Sequence, residues 1–364
     1  MRSRDRVVAG HCAGEEPARA ARDARRRILG GGAGWMLAAF ADSSGLAAEN
    51  RNLEPVPAEA VKPYTYSHAL LIGASRYWHA QWRRLPGVER DIDEVAKVFT
   101  FHGFTISRLM NPTHVQLHEA LRRFATDQGR RPDSRLVVYW AGHGHTLITG
   151  NKTKLGYLVP VDAPSPGVNN AGYREKAYSM ESMQQLSREI EARHVLFLFD
   201  SCFSGTIFLS RSGDMETVDA NAASPVRQFI SSGDESQRVP DDSIFRGQLV
   251  TALSSQQADT NGDGLITGTE LGAFLGRTVS QMSGGLQTPV WGKIRDPNLQ
   301  VGEFLFATVP PSLTDIAAGA RRPANPIVEM RPVDAKANLP DPEWGGKLKP
   351  GIDDLLPLTK RGSP

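Results

Sequence analysis

Short apolar runs alternate with helix-periodic segments through the central part of the chain. Residues 69–73, 136–140 and 195–199 are almost wholly apolar, as in strands that are buried on both faces of a sheet. Residues 88–101 and 114–126 between them carry apolar side chains at a helical period. Strands alternating with helices predict an α/β fold, with a mainly parallel sheet between helices. Further strands are predicted at 105–109, 157–160, 228–232 and 303–307, and further helices at 183–190, 245–258 and 271–282.

Two of the apolar runs end in small and polar residues. The run at 195–199 is followed by DSCFSG, which contains Cys202, and the run at 136–140 by AGHGH, which contains His143. Open α/β folds place their chemistry at the carboxyl ends of parallel strands. A thiol beside an imidazole suits acyl transfer, because the base removes the proton and the thiolate attacks. Cys202 alone fits a buried structural cysteine equally well, and His145 is expected to face away from His143 as a surface residue.

These blocks resemble those of the caspase-like cysteine peptidases, in the branch of metacaspases and bacterial caspase homologues. That branch carries Ser-Gly-His-Gly and Asp-x-Cys-x-Ser-Gly, and His143 lies 59 residues before Cys202, against about 50 in caspases. The resemblance runs from about residue 68 to 306 and departs at Ala141, where the family has serine. It implies a caspase-like (caspase–haemoglobinase) fold and peptide hydrolysis by a Cys202–His143 dyad, without an organic cofactor.

The resemblance also implies roles for an oxyanion hole and a substrate pocket. The backbone N–H groups of Gly144 and Cys202 would form the oxyanion hole. Asp200 and Asp91 would line the first specificity pocket and pair with a substrate Arg or Lys, Arg being favoured because its planar fork can engage a carboxylate bidentately. Asp91 closes LPGVERD at 85–91, which is similar to the family's Leu-x-Gly-Cys-x-Asn-Asp. Alternatively, Asp200 caps a loop and Asp91 is a charge near a helix N-terminus.

Residues 259–270, DTNGDGLITGTE, fit the twelve-residue calcium loop of an EF-hand. Gly264 at position 6 permits the sharp turn, and predicted helices flank the loop, so we predict an inserted EF-hand-like helix-loop-helix that binds Ca²⁺. A solvated turn between helices is the alternative. A single unpaired loop is expected to bind weakly, at about 10⁻⁴–10⁻³ M as in extracellular modules. The predicted ligands are side chains of Asp259, Asn261, Asp263, Thr267 (directly or through water) and Glu270, and the carbonyl of Leu265.

Both ends of the 364-residue chain differ in composition from its centre. Residues 1–48 hold eight arginines against five acidic residues, with a short apolar stretch at 30–40 and an Ala-rich end. These features are typical of a secretory signal and resemble a twin-arginine signal. A disordered basic extension of a cytoplasmic protein is the alternative. We predict a linker at 49–66, a peptidase domain at 67–308 and a flexible Pro-rich tail at 309–364.

Charge and cysteine content exclude several classes of protein. A net charge of +2 implies no nucleic-acid partner. The apolar stretch at 30–40 is too short for a membrane span, so none is predicted in the mature chain. Cys12 and Cys202 are the two cysteines, which leaves no basis for a disulfide framework or a Cys-based zinc site once the N-terminus is removed.

The predicted function is therefore an exported cysteine endopeptidase, periplasmic or secreted, that cuts protein or peptide substrates after Arg or Lys. The alternative is a catalytically weak protein of the same fold that acts as a calcium-responsive binding module. A plain calcium-binding protein leaves the blocks around His143 and Cys202 unexplained.

Overall fold

A computed structural model describes residues 64–202, 223–233 and 242–308, together with the backbone of Ile327–Glu329. Of Cys202 it describes the backbone alone. The predicted signal at 1–48, most of the predicted linker and most of the predicted tail lie outside the described residues, so those predictions stay untested.

The described strands and helices follow the predicted alternation closely. The strands are β1 (Tyr66–Gly73), β2 (Thr105–Met110), β3 (Ser134–Ala141), β4 (Gly144–Ile148), β5 (Lys154–Leu158), β6 (Tyr178–Ser179), β7 (His194–Cys202), β8 (Val226–Gly233), β9 (Leu265–Thr267), β10 (Val290–Lys293), β11 (Leu305–Ala307) and β12 (Ile327–Glu329). The helices are α1 (Gly87–Phe101), α2 (His114–Arg123), α3 (Asn170–Lys176), α4 (Met180–Glu189), α5 (Ile244–Ser254) and α6 (Gly268–Met282), and a π-helical turn, Phe124–Gln128, continues α2.

The central sheet has the strand order β10-β8-β7-β3-β1-β2-β12 in the described residues. Strands β2, β1, β3, β7 and β8 are parallel to their neighbours, and β12 continues the parallel sheet beside β2. At the other edge β10 runs antiparallel to β8. A separate small antiparallel sheet has the order β4-β5-β6, and β9 pairs with β11. The predicted mainly parallel sheet is therefore confirmed.

Helices cover both faces of this sheet because successive side chains of a strand point to opposite faces. On β7, Phe197 and Phe199 pack into the apolar core that includes side chains of α2 and α4. Leu196 and Leu198 pack into the opposite core, which includes side chains of α1, α5 and α6. The strands were recognisable as continuous apolar runs because both of their faces are buried.

The structure also contains elements that the apolar pattern did not predict. Strand β4 is half-exposed and follows a Gly-rich segment. Helix α3 begins after a polar N-cap, Asn169, whose side chain accepts a hydrogen bond from the backbone N–H of Gly172. Strand β12 lies inside the predicted flexible tail. Its Ile-Val pair favours a strand, and β2 would otherwise be an edge of the sheet. None of the described helices is both long and apolar enough to cross a bilayer.

Candidate active site

Strands β3 and β7 bring the histidine and cysteine blocks to one edge of the sheet. The two strands are parallel neighbours, and Ala141 at the end of β3 lies beside Asp200 of β7. His143 follows β3 by two residues, and Cys202 ends β7, where its backbone is aligned with Gly233 of β8 after a local irregularity of the strand. The backbone segments that carry both predicted catalytic residues therefore meet at the expected carboxyl edge.

A backbone carbonyl orients the imidazole of His143. The Nε2 atom lies 2.8 Å from the carbonyl oxygen of Arg83, in the loop between β1 and α1. A carbonyl only accepts hydrogen bonds, so Nε2 donates its proton there and Nδ1 keeps the basic lone pair. This partner of His143 was not predicted from the sequence, and no side-chain pattern indicates it, because any residue at position 83 supplies the same carbonyl.

Two aromatic residues from the same loop hold the imidazole in place. The backbone N–H of His143 donates to Tyr77 Oη at 2.7 Å, and the two ring centroids are 4.7 Å apart. The Trp82 ring centroid lies 5.4 Å from that of His143, and its Nε1 donates to the carbonyl of Ala163 at 2.9 Å. Burial lowers the pKa of His143, against the effect of its hydrogen bond to Arg83. Burial therefore favours the neutral imidazole, which is the form that a general base requires.

His145 lies on the same side as His143, contrary to the sequence prediction. Its ring contacts Trp82, with centroids 5.9 Å apart, and the edge of Tyr173, with centroids 5.7 Å apart. Residues two positions apart in an extended chain point to the same face, so an extended path through Gly144 at the start of β4 gives this arrangement and the prediction was wrong.

Asp200 is buried at the end of β7 among hydroxyl groups. Its Oδ2 accepts from Tyr139 Oη at 3.1 Å and from Ser243 Oγ at 2.5 Å, while no described residue donates a hydrogen bond to its Oδ1. Burial raises the pKa of Asp200 to about 6, against these two hydrogen bonds. The family's serine is Ala141 here, and the two hydroxyls that bind Asp200 come from elsewhere in the fold.

Asp91 is also buried, and it already has a cationic partner. Arg246 Nε of α5 donates to Asp91 Oδ1 at 3.0 Å. Burial, followed by the negative charge of Asp200, raises the pKa of Asp91 to about 7, and the charge of Arg246 opposes this rise. The structure therefore brings the two predicted pocket carboxylates within electrostatic reach of each other. It adds an arginine that the sequence analysis did not predict.

The predicted calcium loop connects α5 to α6 through two left-handed glycines. Gly262 and Gly264 have φ values of 74° and 83°, which favour glycine. Their backbone N–H groups donate to the two carboxylate oxygens of Asp259 at 2.8 and 2.9 Å. The central Ile266 of β9 pairs with Phe306 of β11, so the short strand of the loop has a partner within this chain.

Glu270 faces two threonines in this loop. Its Oε1 accepts from the N–H and hydroxyl of Thr260, and its Oε2 from the N–H and hydroxyl of Thr267, at distances of 2.8–3.0 Å. In the described part of the chain, no three His, Cys, Asp or Glu side chains are grouped so as to hold a metal ion. For Glu270 to bind an ion, its carboxylate would first have to release both threonines.

Comparison with known proteins identifies the family. The model of the caspase domain matches residues 67–291, which is more than half of the chain, and the protein therefore belongs to the caspase-domain family. A caspase domain is a cysteine-peptidase domain, and the match supports the predicted class, a hydrolase of the caspase type with protein substrates. The dyad, the oxyanion hole, the pocket and the calcium ligands stay predictions.

Two solved structures illustrate this similarity. A Geobacter sulfurreducens protein is 16% identical over 66% of this chain and 99% of its own, with a TM-score of 0.43. Caspase-1 from Spodoptera frugiperda is 16% identical over 68% of this chain and 96% of its own, with a TM-score of 0.45. No curated protein matches the chain.

Proposed function

We propose that this protein is a cysteine endopeptidase in which Cys202 is the nucleophile and His143 the general base. The observation that carries the proposal is the orientation of His143 by the Arg83 carbonyl, at the sheet edge where the backbone of Cys202 lies. The thiol proton passes to Nδ1 of His143 as sulfur attacks the peptide carbonyl, and the imidazolium then protonates the leaving amine. Water hydrolyses the thioester that remains.

Backbone N–H groups complete the proposed chemistry. Those of Gly144 and Cys202 stabilise the tetrahedral oxyanion, and such donors typically lower the barrier by about 3 kcal/mol each. The neutral state of His143, which burial favours, keeps the base ready to accept a proton.

The proposed substrates are proteins and peptides with Arg or Lys at the cleaved position. Asp91 and Asp200 are buried near each other, and their mutual repulsion contributes to the raised pKa of Asp91. A substrate cation relieves that repulsion, whereas an acidic side chain would add a further negative charge to a desolvated site.

A panel of fluorogenic peptides tests this function. Peptides that differ only in Arg, Lys or Asp at the cleaved position are incubated with the purified full chain, with and without calcium. Turnover after Arg and Lys, and little after Asp, is expected. Preferred cleavage after Asp would contradict the proposed pocket, and no turnover of any peptide would favour the alternative of a calcium-responsive binding module.

We also propose that the loop at residues 259–270 binds Ca²⁺ and stabilises the helices that it connects. The support is the turn geometry, in which Gly262 and Gly264 direct their N–H groups to Asp259 at loop position 1, together with the match to the calcium-loop pattern. The proposed catalytic residues His143 and Cys202 lie outside this loop, so we expect the ion to stabilise the fold more than it changes the chemistry.

Export with removal of about the first 48 residues is a further proposal, supported by the Arg-rich start, the short apolar stretch and the Ala-rich end. N-terminal sequencing of protein from the native cell tests it. A shortened chain outside the cytoplasm is expected, and an intact N-terminus in the cytosolic fraction would contradict it.

A further inference from the structure

Arg246 lies in the first turn of α5, and three carboxylates bind its guanidinium group. Its Nε donates to Asp91 at 3.0 Å and its Nη2 to Asp242 at 2.8 Å, and its Nη1 is paired with Glu94. The backbone N–H of Arg246 donates to Ser243 Oγ at 2.9 Å. The side chain is only 12% exposed. Arg246 is therefore a fixed part of the contact between α1 and α5.

The ion pair between Arg246 and Asp91 gives the Asp91 carboxylate a structural role in the contact between α1 and α5. Removing one partner of a buried ion pair leaves an uncompensated charge, which is strongly unfavourable. A substrate cation that recruited Asp91 would have to draw it away from Arg246, a cation that is already in place. The sequence predicts the same role for Asp91 and Asp200, but in the structure Asp91 has a cationic partner and Asp200 has hydroxyl partners.

Asp200 has one carboxylate oxygen to which no described residue donates a hydrogen bond. Its Oδ2 has two hydroxyl donors, Tyr139 and Ser243, which use both of its lone pairs. Its buried Oδ1 has no hydrogen-bond donor among the described residues. The Ser232 hydroxyl lies near enough to favour the charged carboxylate, but its hydrogen bond goes to the Ser201 carbonyl at 3.2 Å. A buried acceptor without a donor is unfavourable, and a substrate cation would supply the donor.

We propose that Arg246 holds Asp91 in the scaffold, so that Asp200 alone receives the substrate cation and the pocket prefers Lys to Arg. This inference rests on the proposed function and refines its substrate class. An ammonium group is a point charge that one accepting oxygen can bind. A guanidinium gains most from two parallel hydrogen bonds to one carboxylate, and Oδ2 of Asp200 is already saturated. The expectation from the sequence, Arg over Lys, is thereby reversed.

Matched amide substitutions of the two carboxylates test the division of roles. Asp200→Asn keeps an oxygen for Tyr139 and Ser243 but loses the charge, so kcat/KM for Lys and Arg peptides should fall at least 50-fold. Asp91→Asn should cost less than fivefold, because Arg246 keeps two other carboxylates. Asp93→Asn is the control, since Asp93 lies on the same helix but pairs with Arg108 and is half-exposed. Its kcat/KM should equal that of the wild type.

A second measurement tests Arg246 itself. Arg246→Gln releases Asp91 but also removes the charge that lowers the pKa of Asp91. The assay is therefore run well above pH 7, where Asp91 can ionise as a second carboxylate and the Arg:Lys ratio of kcat/KM should rise at least fivefold. Adding Asp91→Asn to that variant should return the ratio to the wild-type value, as in a double-mutant cycle. Melting temperatures establish that each variant is folded. If Arg246→Gln is unfolded, the comparison of kcat/KM between Asp91→Asn and Asp200→Asn tests whether Asp200 alone receives the substrate cation.

The outcomes separate the inference from the proposed function. Equal losses in Asp91→Asn and Asp200→Asn, or a wild-type preference for Arg over Lys, would overturn the inference while cleavage after cations persists. A wild-type enzyme that turns over neither Lys nor Arg peptides would overturn the proposed function as well.

Discussion

The buried carboxylates of Asp91 and Asp200 make the stability of the protein depend on pH. Burial raises the pKa of Asp200 from 3.8 to about 6 and that of Asp91 to about 7. Between pH 4 and 7 the folded state therefore holds protons that the unfolded state has released, and its stability falls as pH rises. Asp91 has a cation in place, Arg246, whereas Asp200 has only hydroxyl donors among the described residues, so a cation that binds Asp200 would offset the cost of its charge at neutral pH.

Asp200→Asn tests this linkage. The substitution should stabilise the protein more at pH 8, where the wild-type carboxylate is charged, than at pH 4, where it is neutral. A shift of about two pKa units corresponds to at most about 3 kcal/mol of difference between the two pH values. Urea unfolding at both pH values measures it, and the same effect at pH 4 and pH 8 would show that Asp200 has an ordinary pKa.

Tyr77 is predicted to position His143. Tyr77→Phe removes the acceptor of the His143 N–H, and a buried donor left unpaired costs about 1–3 kcal/mol. We expect kcat to fall about tenfold, with KM little changed, in peptide hydrolysis. Tyr173→Phe is the control, because the buried Tyr173 hydroxyl has no hydrogen-bond partner among the described residues. A loss of the same size in both variants would mean that the aromatic cluster, and not this hydrogen bond, matters.

At the scale of the elements, a strand could be predicted from the sequence when both of its faces are buried. Strands β1, β3 and β7 are buried on both faces, and an apolar run is what such a strand requires. Strand β4 is half-exposed and β6 has two residues, so neither leaves a clear pattern. Strand β12 has three residues within a Pro-rich segment, and its place beside β2 depends on an edge that is distant in sequence.

The candidate site could likewise be predicted only in part. The residue types of Cys202, His143 and Asp200 and their positions at strand ends were enough to predict them as site residues. The Arg83 carbonyl has no side-chain signature, and the Asp91–Arg246 pair joins residues 155 positions apart. Its consequence for the pocket could be recognised only once α1 and α5 were packed together.

The loop between α5 and α6 should respond to calcium. Bound ion would draw Glu270 from Thr260 and Thr267, and a ligand that binds only the folded state stabilises it by RT ln(1 + [L]/Kd), about 1.4 kcal/mol at ten times Kd. The melting temperature should rise in millimolar calcium. Glu270→Gln should remove most of that rise, while glutamine retains the capping box with Thr267. Equal rises in wild type and variant would place the ion elsewhere.

At the scale of the whole molecule, the parallel sheet explains how distant segments form one site. His143 follows β3, and its supports come from the loop after β1. The two carboxylates lie at the end of β7 and on α1, and their partners Ser243 and Arg246 lie at the start of α5. Membership of the caspase-domain family accounts for that architecture. We propose that this arrangement hydrolyses peptides through Cys202 and His143.

The most direct test is the kcat/KM of purified Cys202→Ala and His143→Ala proteins on a Lys or Arg peptide that the wild type cleaves. Both variants should lose hydrolysis while they keep the wild-type melting temperature, because each removes one member of the dyad and neither residue is needed for the sheet. Substantial hydrolysis by folded Cys202→Ala protein would contradict the assignment of Cys202 as the nucleophile.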